Sequence, residues 1–478
     1  MLKKPMLYGV IGGGVLLLVI IAVAAALMLS SGGGGLPTGL TYPFQNSDGE
    51  YIFVYNGKAE DSVEGTISSG DMSLDQKTYW FIVRDGNERI LYVVSKGKLT
   101  EVDDEVYSVV ISNNGKKIAY LKDQSGYEAD LYVYDTASKK KQLVDNGAYT
   151  NKSMVFSPDG GTLAYAADYD SSDGTFVTKL SKGGNRGDKF GDNLTVFGVS
   201  NGGSYVYYDQ DPDKSDGIFV RTSREDIKLF SERYASLRCF FNNTRTEILF
   251  SDSERTYVSV RGGDRISVCR DVARGILNDF GDVKTFKNRF LRCSGGVYYI
   301  GGKYEAQRAT TDTSAQLANN GKALLYQVNS GRINRITNFK TLEGEQVADE
   351  RDVYRYAAST NGKTVYYLNA DEELYVVKGT GTPAKIADDV DRFVLSPKGD
   401  RVFFISDVSS RNDLGALYTS TAAAKKVKVK DSGEVYRYAL TSTSDSVFFI
   451  KDPSGGYGQL WYSSGGAGFK KIADDISN

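Results

Sequence analysis

One four-residue form returns five times along this chain and limits what the chain can fold into. Ser112-Asn113-Asn114-Gly115, Ser157-Pro158-Asp159-Gly160, Ser200-Asn201-Gly202-Gly203, Ser359-Thr360-Asn361-Gly362 and Ser396-Pro397-Lys398-Gly399 each follow a short apolar run. Each precedes a stretch such as KIAY, TLAY, YVYY, TVYY or RVFF. Where neighbours are clear the serines lie 45, 43 and 37 residues apart. VYRYA at 353–357 recurs at 435–439, and KIADD at 385–389 recurs at 471–475. A period of ~40–45 residues with several strands per unit is the propeller signature.

The strands of one unit can be named. Over 391–429 the order is RFVLS, the turn PKGD, RVFFISD, a polar loop, GALYTST, a turn and KKVKV. Four short β-branched and aromatic segments divided by Gly/Asn/Asp/Pro turns make one antiparallel blade. Asn or Asp before Gly supplies the positive φ of a tight hairpin, so each Ser-x-x-Gly form joins a first strand to a second. Nine such units run from about Gly65 to the end, and EYIFVYNG at 50–57 adds further strand. The unit at 286–338 reads as stretched by an insertion, Lys303–Gly321. The expected fold is all-β: one propeller of four-stranded antiparallel blades, about eight in number within a range of seven to nine.

SPDGGTLAY at 157–165 and SPKGDRVFF at 396–404 resemble the S-P-D-G-x-x-[IL]-[AV]-[FY] repeat of TolB-type, WD40-like propellers. The resemblance covers roughly residues 46–478 and implies a fold rather than an activity. A membrane helix followed by a propeller is similar to the plan of membrane-anchored propeller proteins of Gram-positive bacteria, and TolB-like relatives imply protein contacts in the cell envelope. The chain departs from true WD40 repeats: it has no His for a Gly-His pair, and Trp80 and Trp461 precede Phe and Tyr rather than follow the WD pattern.

The N-terminus predicts topology. Lys3 and Lys4 precede an uncharged run from Met6 to Leu29, which as a helix is roughly 36 Å long against a bilayer core of ~30 Å. No Lys or Arg follows until Lys58, so residues 1–5 are expected in the cytoplasm, 6–29 in the plasma membrane, 30–45 as a Gly-rich linker and 46–478 outside. The whole chain carries 58 basic and 60 acidic residues; without Lys3 and Lys4 the balance is 56 against 60, a net of −4. That balance argues against nucleic-acid or polybasic lipid binding.

Chemistry is narrowed by an absence: there is no histidine. Ser-His-Asp catalysis and the usual zinc sets are therefore excluded, and GVSNG at 198–202 matches the nucleophile elbow only by accident. Cys239, Cys269 and Cys293 allow one disulfide plus a thiol, or three buried thiols. RGD at 186–188 reads as part of a Gly-rich connector. Two acidic loops, Asp168, Asp170 and Asp173, then Asp209, Asp211, Asp213 and Asp216, have oxygen ligands suited to Ca²⁺, although Asp is also a common turn former. The longer second-to-third strand loops are where binding residues concentrate. Lys303, Glu305, Arg308, Asp312, Asp407 and Arg411 are the expected partner-binding face. The reading is a membrane-anchored scaffold for an envelope protein or a cell-wall glycan. The alternative is a carboxylate-based polysaccharide hydrolase or lyase, which needs two carboxylates roughly 5–10 Å apart.

Overall fold

The five Ser-x-x-Gly forms build one and the same turn. In the computed structural model Ser157 N–H donates to Thr162 O at 2.8 Å and Gly160 N–H to Ser157 O at 2.9 Å. The buried Ser157 hydroxyl accepts from Thr162 N–H at 2.9 Å and donates to Asp159 at 2.6 Å. Ser112, Ser200, Ser359 and Ser396 make the same hydroxyl contact to the backbone N–H five residues on. The glycines have φ between +65° and +71°, the region where a side chain is strained. Each turn connects the first and second strands of its unit, as the sequence predicts.

The structure describes residues 41–477 other than 49, 56–57, 75–76, 96–97, 151–153, 169–173, 181–185, 193, 210–216, 231–238, 278–282, 319–320, 329–330, 351, 398, 410–413, 430–431, 441–445, 455 and 465–467. A three-stranded sheet, Thr41–Gln45, Tyr51–Tyr55 and Lys58–Val63, comes first. Ten four-stranded antiparallel units follow, here sheets 1 to 10: 66–103, 106–149, 155–192, 195–230, 240–269, 273–310, 316–348, 353–387, 393–428 and 435–477. Sheets 2 and 3 are joined through the pairing of Ala148 with Ala167. The described residues contain no helix long and apolar enough to cross a membrane; the expected span 6–29 lies outside them.

Alternation along the strands gives each sheet two apolar faces, and each face packs on a neighbour. Tyr367 lies in the core between sheets 7 and 8, and the adjacent Tyr366 in the core between sheets 8 and 9. Phe403 and Phe404 divide in the same way. Paired aromatics are thus core on both sides. The array closes on itself: Tyr51 packs with sheet 1, Ile52 packs with sheet 10, and Asn46 bridges to Ile476. This is the architecture of a propeller.

Two expectations are corrected. The count of about eight blades gives way to ten four-stranded units plus the N-terminal sheet, because 286–338 is not one stretched unit. Lys303–Gly321 contains the fourth strand of sheet 6, Ala306–Thr310, and the first strand of sheet 7, Gln316–Leu317. The first is polar and edge-exposed and the second has two residues, so neither stands out as an apolar run. Thr41–Gln45 is also a strand, so the last five residues of the expected linker 30–45 belong to the first sheet.

Sheet 7 carries the same turn without its hydroxyl. Ala318 N–H donates to Ala323 O at 2.8 Å and Gly321 N–H to Ala318 O at 2.7 Å, with Gly321 at φ +71°. Ala318→Ser restores the acceptor for the backbone N–H five residues on. It is expected to stabilise the protein by about 1 kcal/mol, seen as a raised urea midpoint; an unchanged or lowered midpoint contradicts the assignment of the hydroxyl as the element that holds the turn.

Candidate interaction surface

Antiparallel order sends the loops of every sheet to two ends. First-to-second and third-to-fourth turns emerge at one end. Second-to-third loops and the connections between sheets emerge at the other. Counted by backbone position among the described residues between strands, the first end has 17 basic and 6 acidic residues, a net of +11, although Arg186 and Lys426 turn their side chains toward Asp168 and Asp407 of the other end. The second has 21 acidic and 3 basic, a net of −18. A nearly neutral chain therefore folds into a strongly polarised body, and the net of −4 is no guide to what either end attracts.

Local chemistry fixes this segregation. Glu105, Asp352, Asp389 and Glu434 take φ of +52° to +62° at the entry to a sheet. Each is followed by a valine that is 5% exposed or less, Val106, Val353, Val390 and Val435. The acid makes the bend and stays in water while the valine anchors the strand. At the opposite end lysines follow the turn glycine, as at Lys116 and Lys363, or fill the third-to-fourth turn, as at Lys139, Lys140 and Lys425.

Part of the acidic end is tied down by contacts across sheets. Asp103, at the exit of sheet 1, accepts from Tyr120 Oη at 2.7 Å, Lys122 Nζ at 2.9 Å and Lys141 Nζ at 3.1 Å, all in sheet 2. Asp145 repeats the pattern one sheet on, with Tyr165 Oη at 2.9 Å and Arg186 Nε at 3.1 Å, and Glu350 accepts from Tyr367 Oη at 3.4 Å. Burial would raise the Asp103 carboxyl, but the three donors hold it below the ordinary range. Elsewhere the negative charge is in excess: Glu105 is pushed up by its hydrogen bond to Asp123 and by the charge on Asp123.

Exposed aromatic side chains mark the same end. Among the described residues the exposed aromatics are Tyr107, Tyr127, Tyr354 and Tyr457. Tyr107 and Tyr354 open first strands, Tyr127 lies in the second-to-third turn of sheet 2, and Tyr457 opens the third strand of sheet 10. All four are at the acidic end.

The residues singled out by sequence divide between the ends. Asp312 and Asp407 are at the acidic end, Lys303 and Glu305 at the basic end, and Arg308 lies on the outer strand of sheet 6, opposite Tyr298. They do not form one face, because the supposed insertion spans a strand and so crosses the molecule. Arg411 lies outside the described residues. Asp312 accepts from Ser314 N–H and Oγ and from Gln327 N–H, joining sheets 6 and 7. A shallow cavity of about 470 Å³ beside it is also lined by Thr310, Thr311, Tyr326 and Gln327. Asp407 bonds Tyr418 and Lys426, which hold its carboxyl low.

Asp168 is ion-paired with Arg186, whose guanidinium stacks 4.6 Å from the Phe176 ring centroid. Arg186 of the RGD tripeptide thus joins sheets 2 and 3. Asp209 ends a second strand, and Asp170, Asp173, Asp211, Asp213 and Asp216 lie outside the described residues. Among the described residues no group of three or more acidic or thiol side chains is placed to hold a metal. Cys269 and Cys293 are buried thiols with Sγ atoms 3.9 Å apart, and Cys239 is a partly buried thiol.

No family profile matches the chain, and no curated protein sequence does. Among solved structures, a eukaryotic initiation factor is 10% identical, covering 82% of this chain and 95% of its own, with a TM-score of 0.37. The tricorn protease is 13% identical over 93% of this chain and 53% of its own, TM-score 0.32. A TolB from Agrobacterium tumefaciens is 14% identical over 48% of this chain and 87% of its own, TM-score 0.30. Similarities this low leave function open, and the fold rests on the strand pairing and packing described above.

Proposed function

We propose that the chain is a single-pass membrane protein that displays its propeller outside the cell as a binding scaffold, and that it meets its partner through the acidic, tyrosine-bearing end. The observation that carries this reading is the coincidence of all four exposed aromatics with the net charge of −18. Tyrosine is enriched at protein interfaces because it offers large, rigid contact area with a polar tip. The charge selects a cationic partner and speeds its approach. The partner class is an envelope protein or a cell-wall glycan bearing amines.

The test is retention of envelope proteins and wall glycans by the full chain, compared with a Tyr127→Ala/Tyr354→Ala variant. Binding through this end is expected to weaken by about tenfold or more in the variant, as for the loss of interface anchors. Retention that the variant leaves unchanged removes the assignment to this end. Shortening of a retained polysaccharide would replace the scaffold with the carboxylate hydrolase or lyase.

A further inference from the structure

The direction of the first strand places the chain's entry point. Thr41–Gln45 pairs antiparallel with Tyr51–Tyr55, which pairs antiparallel with Lys58–Val63. Lys58–Val63 leads through Glu64 and Gly65 into the first strand of sheet 1, so Gln45 and Val63 share the acidic end. Asn46 confirms this by bridging Ile476, at the exit of sheet 10. Thr41 is therefore at the basic end, and residues 1–40 join the propeller there.

We propose that this basic end rests on an anionic phospholipid surface. The inference rests on the reading of 6–29 as a membrane anchor. Residues 30–40 then form the whole tether, and eleven residues reach at most ~40 Å even when fully extended. The Gly-rich composition at 32–35 makes the typical span shorter, roughly 20 Å. Without Arg186 and Lys426, whose side chains pair with Asp168 and Asp407 of the other end, the loops at the end held that close carry 15 basic against 6 acidic residues. Lys116, Lys139, Lys140, Lys284, Lys363 and Lys425 are exposed there and come from four different sheets, so a plane across that end meets several at once. The opposite end, which the same membrane repels, is left pointing outward with its tyrosines. Tether position and charge thus select one orientation.

The experiment uses the full chain in nanodiscs of phosphatidylcholine alone or of an equimolar mixture with phosphatidylglycerol. Lysine acetylation is followed residue by residue by mass spectrometry. Lys139, Lys140 and Lys425 are expected to react at least about threefold more slowly in the anionic discs, with the difference lost at high salt. Lys451, toward the acidic end, serves as the control that does not change. Lys139→Glu/Lys140→Glu/Lys425→Glu is expected to abolish the lipid-dependent protection of the remaining basic-end lysines.

Equal rates in the two discs, with the chain retained through carbonate extraction, overturn the docking but leave the anchor standing. Extraction of the chain by carbonate removes the anchor and the docking together. Protection on phosphatidylcholine discs after addition of a soluble polyol-phosphate polymer, at least equal to that given by anionic lipid, assigns the basic end to wall polymer instead.

Discussion

Gly399→Ala is expected to destabilise the folded protein by about 3–5 kcal/mol, whereas Gly86→Ala costs about 1 kcal/mol. Both glycines have positive φ, +69° and +59°, so both variants carry the strain of a left-handed alanine. Only at 399 is there also an obstacle. A Cβ there would meet Thr360 N at 2.5 Å and Ser359 Cα at 2.6 Å; around Gly86 nothing lies within 4 Å. The obstacle is backbone, and it is the turn of sheet 8, held by Ser359 N–H to Thr364 O at 2.8 Å and Gly362 N–H to Ser359 O at 2.7 Å. Relief therefore requires the turns of sheets 8 and 9 to separate. Urea unfolding followed by tyrosine fluorescence measures both variants, and equal losses would show that stacking of successive turns contributes nothing.

That stacking separates what was legible in the sequence from what was not. A Ser hydroxyl and a Gly three residues on have a local meaning, and all five turns form where that meaning puts them. Sheet 7 escaped because Ala318 stands where Ser is expected, although Ala318-Asn319-Asn320-Gly321 keeps the rest of the form. In sheet 5 Asn242 accepts from Thr246 and Glu247 N–H in the serine's place, and Arg245 takes φ +52° in the glycine's. Both substitutions keep the geometry and lose the letters.

The two charged ends were harder to read for a different reason. The acids of VDDE, VADE and IADD are visible, but the end at which a loop emerges depends on whether it follows an odd or an even strand. One unrecognised strand in sheet 6, Ala306–Thr310, left Asp312 at the expected end but sent Lys303 and Glu305 to the other. Overall charge hid the rest, because +11 and −18 nearly cancel in the sum. The bridges of Asp103 and Asp145 join residues on different sheets, and no local pattern announces them.

Asp103→Asn is expected to cost about 2–3 kcal/mol at neutral pH, while Asp104→Asn, beside it but largely exposed, costs under about 1 kcal/mol. Asp103 has a side chain only 9% exposed and Lys122 one 15% exposed. The amide at 103 can still accept from the buried Tyr120 hydroxyl, but it no longer neutralises Lys122 or attracts Lys141. Lys122 keeps Asp104 at 3.2 Å, which limits the loss. The sign of the pH dependence follows from the depressed carboxyl of Asp103 in the folded state. Its contribution is complete above the unfolded value of about 3.9 and fades as pH falls through the lower folded value. The stability gap between wild type and Asp103→Asn should therefore stay level from neutrality down to about pH 5 and close in stronger acid. A gap that persists or widens in acid would mean that the carboxylate's charge is not what joins sheets 1 and 2.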